Sequence, residues 1–166
     1  MNGKPIAEEI VCLGDAASIP PPDSGRASAS GSSAACCAAW LCVLIADDDP
    51  EQGALLQTAV TKLGHETHLV RDGMAAVFSA AELRPDVILM DIGMPRLNGY
   101  EATRRIRALA GYPTIVALSV WDREADLKLS AAAGMNHHLV KPLDPTAVLA
   151  ILQFAQAKKI RGTGTQ

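Results

Sequence analysis

Two short apolar runs in this chain end in carboxylates. Val43-Leu44-Ile45-Ala46 leads into Asp47-Asp48-Asp49-Pro50, and Val87-Ile88-Leu89-Met90 leads into Asp91. A short apolar run bounded by turn signals reads as a strand buried on both faces, as in a parallel sheet. The carboxyl ends of such strands are where open α/β sheets keep their ligand sites. A solitary aspartate there would read as a helix cap or a turn residue. Two neighbouring strands with the same ending would instead crowd Asp47, Asp48 and Asp91 into one crevice. Farther along, Ser119 closes the run from Thr114 to Leu118, and Lys141 follows the run at 136–140. Three acids, a hydroxyl and an amine therefore fall at the ends of predicted strands.

Carboxylates gathered in one crevice repel, and each raises the cost of ionising the next, so the cluster needs a compensating charge. A hard divalent cation is the natural one. Mg²⁺ favours one or two carboxylates, waters and a substrate phosphate. Lys141 would supply a second positive charge for a phosphoryl oxygen and Ser119 a neutral donor. The set suits phosphoryl chemistry, where positioning and charge neutralisation carry most of the catalysis. The sequence has no Gly-x-x-x-x-Gly-Lys-Ser/Thr loop and no Gly-x-Gly-x-x-Gly fingerprint, which argues against nucleotide binding.

The elements that must position these groups alternate strictly. A first strand is expected at 42–46. Pro50 opens a helix with Leu55, Leu56, Ala59, Val60 and Leu63 at helical spacing, ended by Gly64. His65 to Val70 is more polar and reads as an edge strand. Asp72 caps a second helix at about 73–82, and a third strand covers 86–90. A third helix is expected from Leu97 to Leu109, with Arg104, Arg105 and Arg107 as a solvated basic face. Then come a strand at Thr114–Leu118, a helix at about 122–133 closed by Gly134, a strand at 136–140, and a last helix from Asp144 or Pro145 to Lys159. Five strands alternating with five helices predict a doubly wound α/β domain with helices on both faces.

The totals set bounds. With 166 residues, 49% of them apolar and only 4% aromatic, the chain can build one domain with an appendage, its core filled by aliphatic side chains. A net charge of −3 gives no sign of nucleic-acid binding. Cys12, Cys36, Cys37 and Cys42 lack zinc-ligand spacing and are expected as reduced thiols. No secretory signal opens the chain, and the apolar stretch from Ala34 to Ala46 is shorter than the roughly 20 residues a membrane helix needs. The expected location is the cytoplasm. Residues 1–40 read as a flexible, low-complexity extension, Pro-rich at 20–22 and Gly/Ser/Ala-rich at 24–33; within it, 34–41 either extends the first strand or forms a short lead-in helix. Residues 41–160 form the predicted domain and 161–166 a disordered tail.

Four motifs in register at four strand ends, A-D-D-D-P-E (46–51), D-I-G-M-P-R-L-N-G (91–99), A-L-S (117–119) and V-K-P (140–142), resemble the receiver domain of two-component response regulators. The resemblance covers about residues 41–160. It implies a flavodoxin-like five-stranded parallel sheet in the order 2-1-3-4-5. It also implies that Asp91 is the phosphoacceptor, charged by a histidine kinase or a histidine phosphotransfer protein. Asp48, Asp91 and the backbone carbonyl of Gly93 would hold Mg²⁺ directly and Asp47 through water. Lys141 and the switch hydroxyl of Ser119 would bind phosphoryl oxygens, and the Lys141–Pro142 bond is often cis in the family. The implied activity is that of a signalling domain, self-catalysed phosphotransfer and dephosphorylation, with no direct nucleic-acid or membrane contact and homodimerisation left open.

The sequence departs from that pattern in three places. The switch aromatic, three residues before the lysine, is His138, which can titrate near neutral pH. The residue after the switch hydroxyl is Val120, whose branched side chain is expected to narrow access to Asp91. No output domain is expected after the last helix. His137 and His138, adjacent on a strand, point to opposite faces and cannot chelate one metal from the same side. Trp121 is either an exposed interaction residue or a packing residue. A rival class is a Mg²⁺-dependent phosphatase with an aspartyl-phosphate intermediate; it wants an acid two residues after the nucleophile, where this chain has Gly93. A receiver that only docks is a third reading, and the intact acids and lysine speak against it.

Overall fold

The computed structural model describes residues 40–109, 113–121 and 123–162. Residues 1–39 and 163–166 lie outside the described residues, and with them the expected linker, three of the four cysteines and most of the expected tail. Ten elements alternate: β1 (Cys42–Ala46), α1 (Pro50–Lys62), β2 (Glu66–Val70), α2 (Gly73–Leu83), β3 (Val87–Asp91), α3 (Gly99–Ala108), β4 (Thr114–Ser119), α4 (Glu124–Ala133), β5 (His137–Val140) and α5 (Pro145–Gly162). The strands are parallel throughout, in the order β2-β1-β3-β4-β5. This is the flavodoxin-like, doubly wound arrangement expected from the sequence.

Period-2 alternation in the three central strands feeds two cores. Val43, Ile45, Val87, Leu89, Val116 and Leu118 face α1 and α5, where Leu56, Val60, Val148, Ile151, Leu152 and Ala155 meet them. Leu44, Ala46, Ile88, Met90, Ile115 and Ala117 face the other layer, against Ala76, Ala80, Ala102 and Ile106. These central residues are wholly removed from water, which is why their runs are continuously apolar rather than alternating. β2 is an edge strand and reads as one: its residues are only partly buried.

The element ends follow local chemistry. Asp49, Asp72 and Asn98 cap α1, α2 and α3, each accepting main-chain N–H bonds from the first turn. α2 ends at Arg84 in the left-handed region, with φ 46°, where the sequence offers no glycine. α3 is shorter than expected: Leu97 lies in the loop before it, buried, and Asn98 starts the helix. α4 begins at Glu124 rather than near 122, and α5 continues to Gly162, past the expected boundary at 160. Arg107 is not part of a solvated basic face. Its guanidinium donates from Nε to the Gly134 carbonyl (2.8 Å), from Nη1 to the Pro113 carbonyl (2.8 Å) and from Nη2 to Asn136 Oδ1 (2.7 Å). It therefore ties α3 to the start of β4 and to the turn between α4 and β5, while Arg104 and Arg105 stay exposed. Among the described residues no helix is long and apolar enough to cross a membrane.

Candidate functional site

The order of strands changes direction between β1 and β3, since β1 is followed in sequence by its neighbour on one side and two strands later by its neighbour on the other. A crevice opens outside the strand ends at such a switch point. Ala46 pairs with Met90 and Asp91 with Leu118, so the residues just past β1 and at the end of β3 stand level with each other. The Asp47 N–H donates to the Val70 carbonyl (3.1 Å), which holds the start of the acidic run in the plane of the sheet. The loop after β3 is pressed onto this end by two glycines. A Cβ on Gly99 would collide with the Asp91 carbonyl oxygen, and one on Gly73 with the Leu97 carbonyl oxygen.

The acids of Asp47-Asp48-Asp49 take three different places. Asp47 is buried, at 1% exposure, with Oδ1 accepting the Asp49 N–H (3.0 Å). Asp48 is exposed. Asp49 turns back to cap α1, accepting the N–H groups of Glu51 (2.9 Å) and Gln52 (3.3 Å). These amides hold its carboxyl below the usual range. Asp91, at 8% exposure, accepts the Gly93 N–H on Oδ1 (3.1 Å). One carboxylate oxygen from each of Asp47, Asp48 and Asp91 lies within 4.8 Å of the others.

Lys141 closes the group from the end of β5. Its N–H donates to the Ser119 carbonyl (2.7 Å), and its peptide bond to Pro142 is cis. Its ammonium donates to Oδ2 of Asp47 and to Oδ2 of Asp91, each at 3.0 Å. Burial alone would lower the lysine; the two carboxylates outweigh it and hold the ammonium above its usual range. For Asp47 burial is the larger effect. It keeps that carboxyl above the usual range although Lys141 and the Asp49 amide pull it down and Asp91 pushes it up. The site carries three carboxylates against one ammonium, all its nearby donors are oxygen, and one buried acid resists ionisation. A hard divalent cation such as Mg²⁺ fits that donor set.

Ser119 is buried at 4% exposure, and its Oγ accepts the N–H of Trp121 (3.0 Å) within its own turn. Val120 and Trp121 are exposed, at 64% and 55%, and the Arg123 guanidinium lies 4.7 Å from the Trp121 ring centroid. His137 and His138 point to opposite layers. His137 meets Phe154 of α5 edge-on, at 6.2 Å between ring centroids. His138 reaches the other way, Nδ1 to Ser130 Oγ on α4 (2.9 Å) and Nε2 to the Trp121 carbonyl (3.1 Å). The fold thus gathers Asp47, Asp48, Asp91 and Lys141, with Ser119 on the adjacent strand end. His138 stands behind the β4–α4 turn. Sequence reasoning missed that the main chain of Trp121 joins Ser119 to His138; a backbone partner leaves no mark in residue type.

Comparison with known proteins agrees with this geometry. The model of the response regulator receiver domain matches residues 43–153. A DNA-binding response regulator, MtrA of Mycolicibacterium smegmatis, is 33% identical over 108 residues, covering 65% of this chain and 47% of MtrA. The chain thus spans about half the length of that relative, whose name leaves the expectation of no nucleic-acid contact without support. Among solved structures, the receiver domain of a sensor histidine kinase of Pseudomonas aeruginosa, with magnesium in its active-site cleft, is 36% identical with a TM-score of 0.67; the match covers 72% of this chain and 99% of that one. The receiver of a Saccharomyces cerevisiae response regulator, crystallised with a histidine phosphotransfer protein, is 25% identical with a TM-score of 0.68, covering 72% and 91%. With its acids at the β1/β3 switch point, its lysine after β5 and a family match across nearly all of the sheet, this chain belongs to the response regulator receiver domains of two-component signalling.

Proposed function

We propose that Asp91 accepts a phosphoryl group from a phosphohistidine and that the modified domain changes its partner binding. The observation that carries this reading is the ammonium of Lys141, 3.0 Å from both Asp91 and Asp47 at the mouth of the crevice. A carboxylate oxygen of Asp91 attacks phosphorus as the P–N bond to the donor imidazole breaks. The electron pair leaves with the ring nitrogen. Lys141 stays bound to Asp47, keeps its charge and turns from Asp91 Oδ2 to a phosphoryl oxygen, while the Gly93 N–H fixes the other Asp91 oxygen. Ser119 donates its hydroxyl to a second phosphoryl oxygen. Asp48, Asp91 and the Gly93 carbonyl would hold Mg²⁺ directly and Asp47 through water, and the ion would neutralise charge developing on the phosphoryl oxygens.

The proposed donor is a histidine kinase or a histidine phosphotransfer protein. An apolar groove beside the site supports a helical partner: Leu55 and Leu56 of α1 and Leu63 at its C-cap line it together with Leu143, Val148 and Leu149, next to Lys141 and Pro142. The test is phosphate uptake from acetyl phosphate, read by intact mass. Uptake that needs Mg²⁺, is stopped by chelator and is absent from Asp91→Asn is the expected result. Phosphate on the Asp91→Asn protein overturns the assignment.

A further inference from the structure

A second concavity lies at the other end of the sheet from Asp91, where the chain enters β3 and β4. The length of β3 separates the two, five residues or about 16 Å. Its floor is apolar and draws on both layers: Ala80 of α2 and Ile106 of α3 from one, Ala155 of α5 from the other, with Pro85 and Pro113 at the strand entries. The cavity measures about 460 Å³, the size of a small-molecule site. A stable protein partner would need roughly 800 Å² of surface on each side.

Four charged side chains line this cavity. Lys159 is already committed. Its ammonium donates to Asp86 Oδ2 (2.8 Å) and to the Trp40 carbonyl (3.1 Å), and lies 5.0 Å from the Trp40 ring centroid. Asp86 is thereby neutralised, and the same oxygen accepts the Cys42 N–H (2.9 Å). Arg84 and Lys158 are exposed, and their side chains make no hydrogen bond or ion pair with any described residue. Three cations against one acid leave two positive charges in excess. The carbonyl ends of α2 and α3 fall at the same place and together return about one negative charge, so an excess of about one remains. In a chain of net charge −3 that excess is local. Arg84 also stands in the left-handed region, φ 46°, at the C-cap of α2, where glycine is the residue that costs least. A costly backbone kept by a non-glycine residue indicates that its side chain is used.

We infer that this cavity binds a small amphipathic carboxylate, with its aryl or alkyl body on the apolar floor and its head between Arg84 and Lys158. The guanidinium offers two parallel N–H groups to the two carboxylate oxygens, and the ammonium adds a point charge. A bare inorganic anion gains nothing from the floor, whose contribution scales with the apolar area it covers. A neutral apolar molecule leaves the excess charge of the rim uncompensated, and an amphipathic cation adds to it. The site shares no residue with the acidic crevice, so it stands apart from the proposed phosphoryl chemistry.

The test titrates the ¹⁵N-labelled full chain with 4-phenylbutyrate and follows its amide signals. The expected result is saturable shifts centred on Arg84, Leu109, Thr114 and Lys158, with a Kd of about 1 mM, in keeping with a ligand of roughly a dozen heavy atoms. 4-Phenylbutanol, the same body without the charge, should bind about tenfold more weakly, because it forfeits the charge-assisted bonds. Arg84→Gly relieves the left-handed backbone while removing the cation, so it should melt no lower than the native chain and yet bind phenylbutyrate about fivefold more weakly. Arg84→Gly combined with Lys158→Ala should abolish saturable binding, and Asp91→Asn should leave it unchanged. Equal affinity for the alcohol and the carboxylate overturns the choice of an anion. Native affinity in the double variant overturns the roles of Arg84 and Lys158. Shifts centred on Leu55 and Leu149, in the groove beside Lys141, overturn the location, and no saturable shift at about 10 mM overturns the site altogether.

Discussion

Asp91→Asn separates chemistry from stability, because the substitution keeps the shape of the side chain and removes one charge. In the native site Asp91 faces one attraction, Lys141 at 3.0 Å, and two repulsions, from Asp47 and Asp48, whose oxygens lie within 4.8 Å. Two unit charges about 4 Å apart near a protein surface interact by roughly 4 kcal/mol. Removing Asp91 therefore deletes one favourable and two unfavourable contributions of similar size. Asp48 is exposed and screened, so its share shrinks well below that figure. The remaining imbalance is about 1–2 kcal/mol in favour of the variant when no cation is present. Asn can still accept the Gly93 N–H, and Lys141 keeps its bond to Asp47. The variant should melt higher than the native chain in chelator at neutral pH, by roughly 4 °C for each kcal/mol in a domain of this size. Adding Mg²⁺ should raise the native chain more than the variant, because a ligand stabilises in proportion to its affinity for the folded state. Melting curves of both proteins, with chelator and with Mg²⁺, decide the matter. If Asp91→Asn melts lower in chelator, the Lys141 bond outweighs the repulsion and the reasoning fails.

Substitutions at three further positions probe the rest of the frame. Lys141→Met strands Asp47, and breaking a buried pair on one side costs about 3–5 kcal/mol. Asp47 has a raised folded value, so its contribution is fully present below the unfolded carboxylate value and lost as pH rises through the folded one. The deficit of Lys141→Met in urea titrations should accordingly be largest at neutral pH and shrink toward pH 4. His65 is buried, accepts the Leu41 N–H at 3.4 Å, and is held below its usual range by burial. Its contribution is complete above its ordinary value near 6.5 and is lost as pH falls through the lowered folded value, so His65→Leu should flatten the acid limb of the stability curve below pH 6.5. Arg107→Ala removes three hydrogen bonds from a charged donor and should cost about 2–4 kcal/mol by thermal or urea unfolding. Arg107→Lys should recover less than half of that, because a single ammonium cannot span the three acceptors of a planar fork.

The sequence by itself determined the alternation of elements, the burial of the central strands and the strand ends at which acids, hydroxyl and lysine fall. It could do so because fully buried parallel strands must be continuously apolar, and because caps such as Asp49, Asp72 and Asn98 satisfy N–H groups only a few residues away. Those are local constraints with a local signature. The motifs at 46–51, 91–99, 117–119 and 140–142 also carried the family resemblance and the strand order. Which acid of Asp47-Asp48-Asp49 turns inward was not legible. Alternation says that neighbours differ, but only the arrival of Lys141 from β5 makes Asp47 the buried partner and leaves Asp48 to solvent. Arg107 looked like its neighbours Arg104 and Arg105 because charge alone says nothing about acceptors; its three partners are the Pro113 carbonyl just before β4 and, far along the chain, the Gly134 carbonyl and Asn136 of the α4–β5 turn. One faint signal was available, since Arg107 lies one helical turn from buried Thr103 and so flanks the inner face of α3. The main chain of Trp121, whose N–H meets Ser119 and whose carbonyl meets His138, left no signal at all, because main-chain groups are the same in every residue and only the folded chain decides which of them meet.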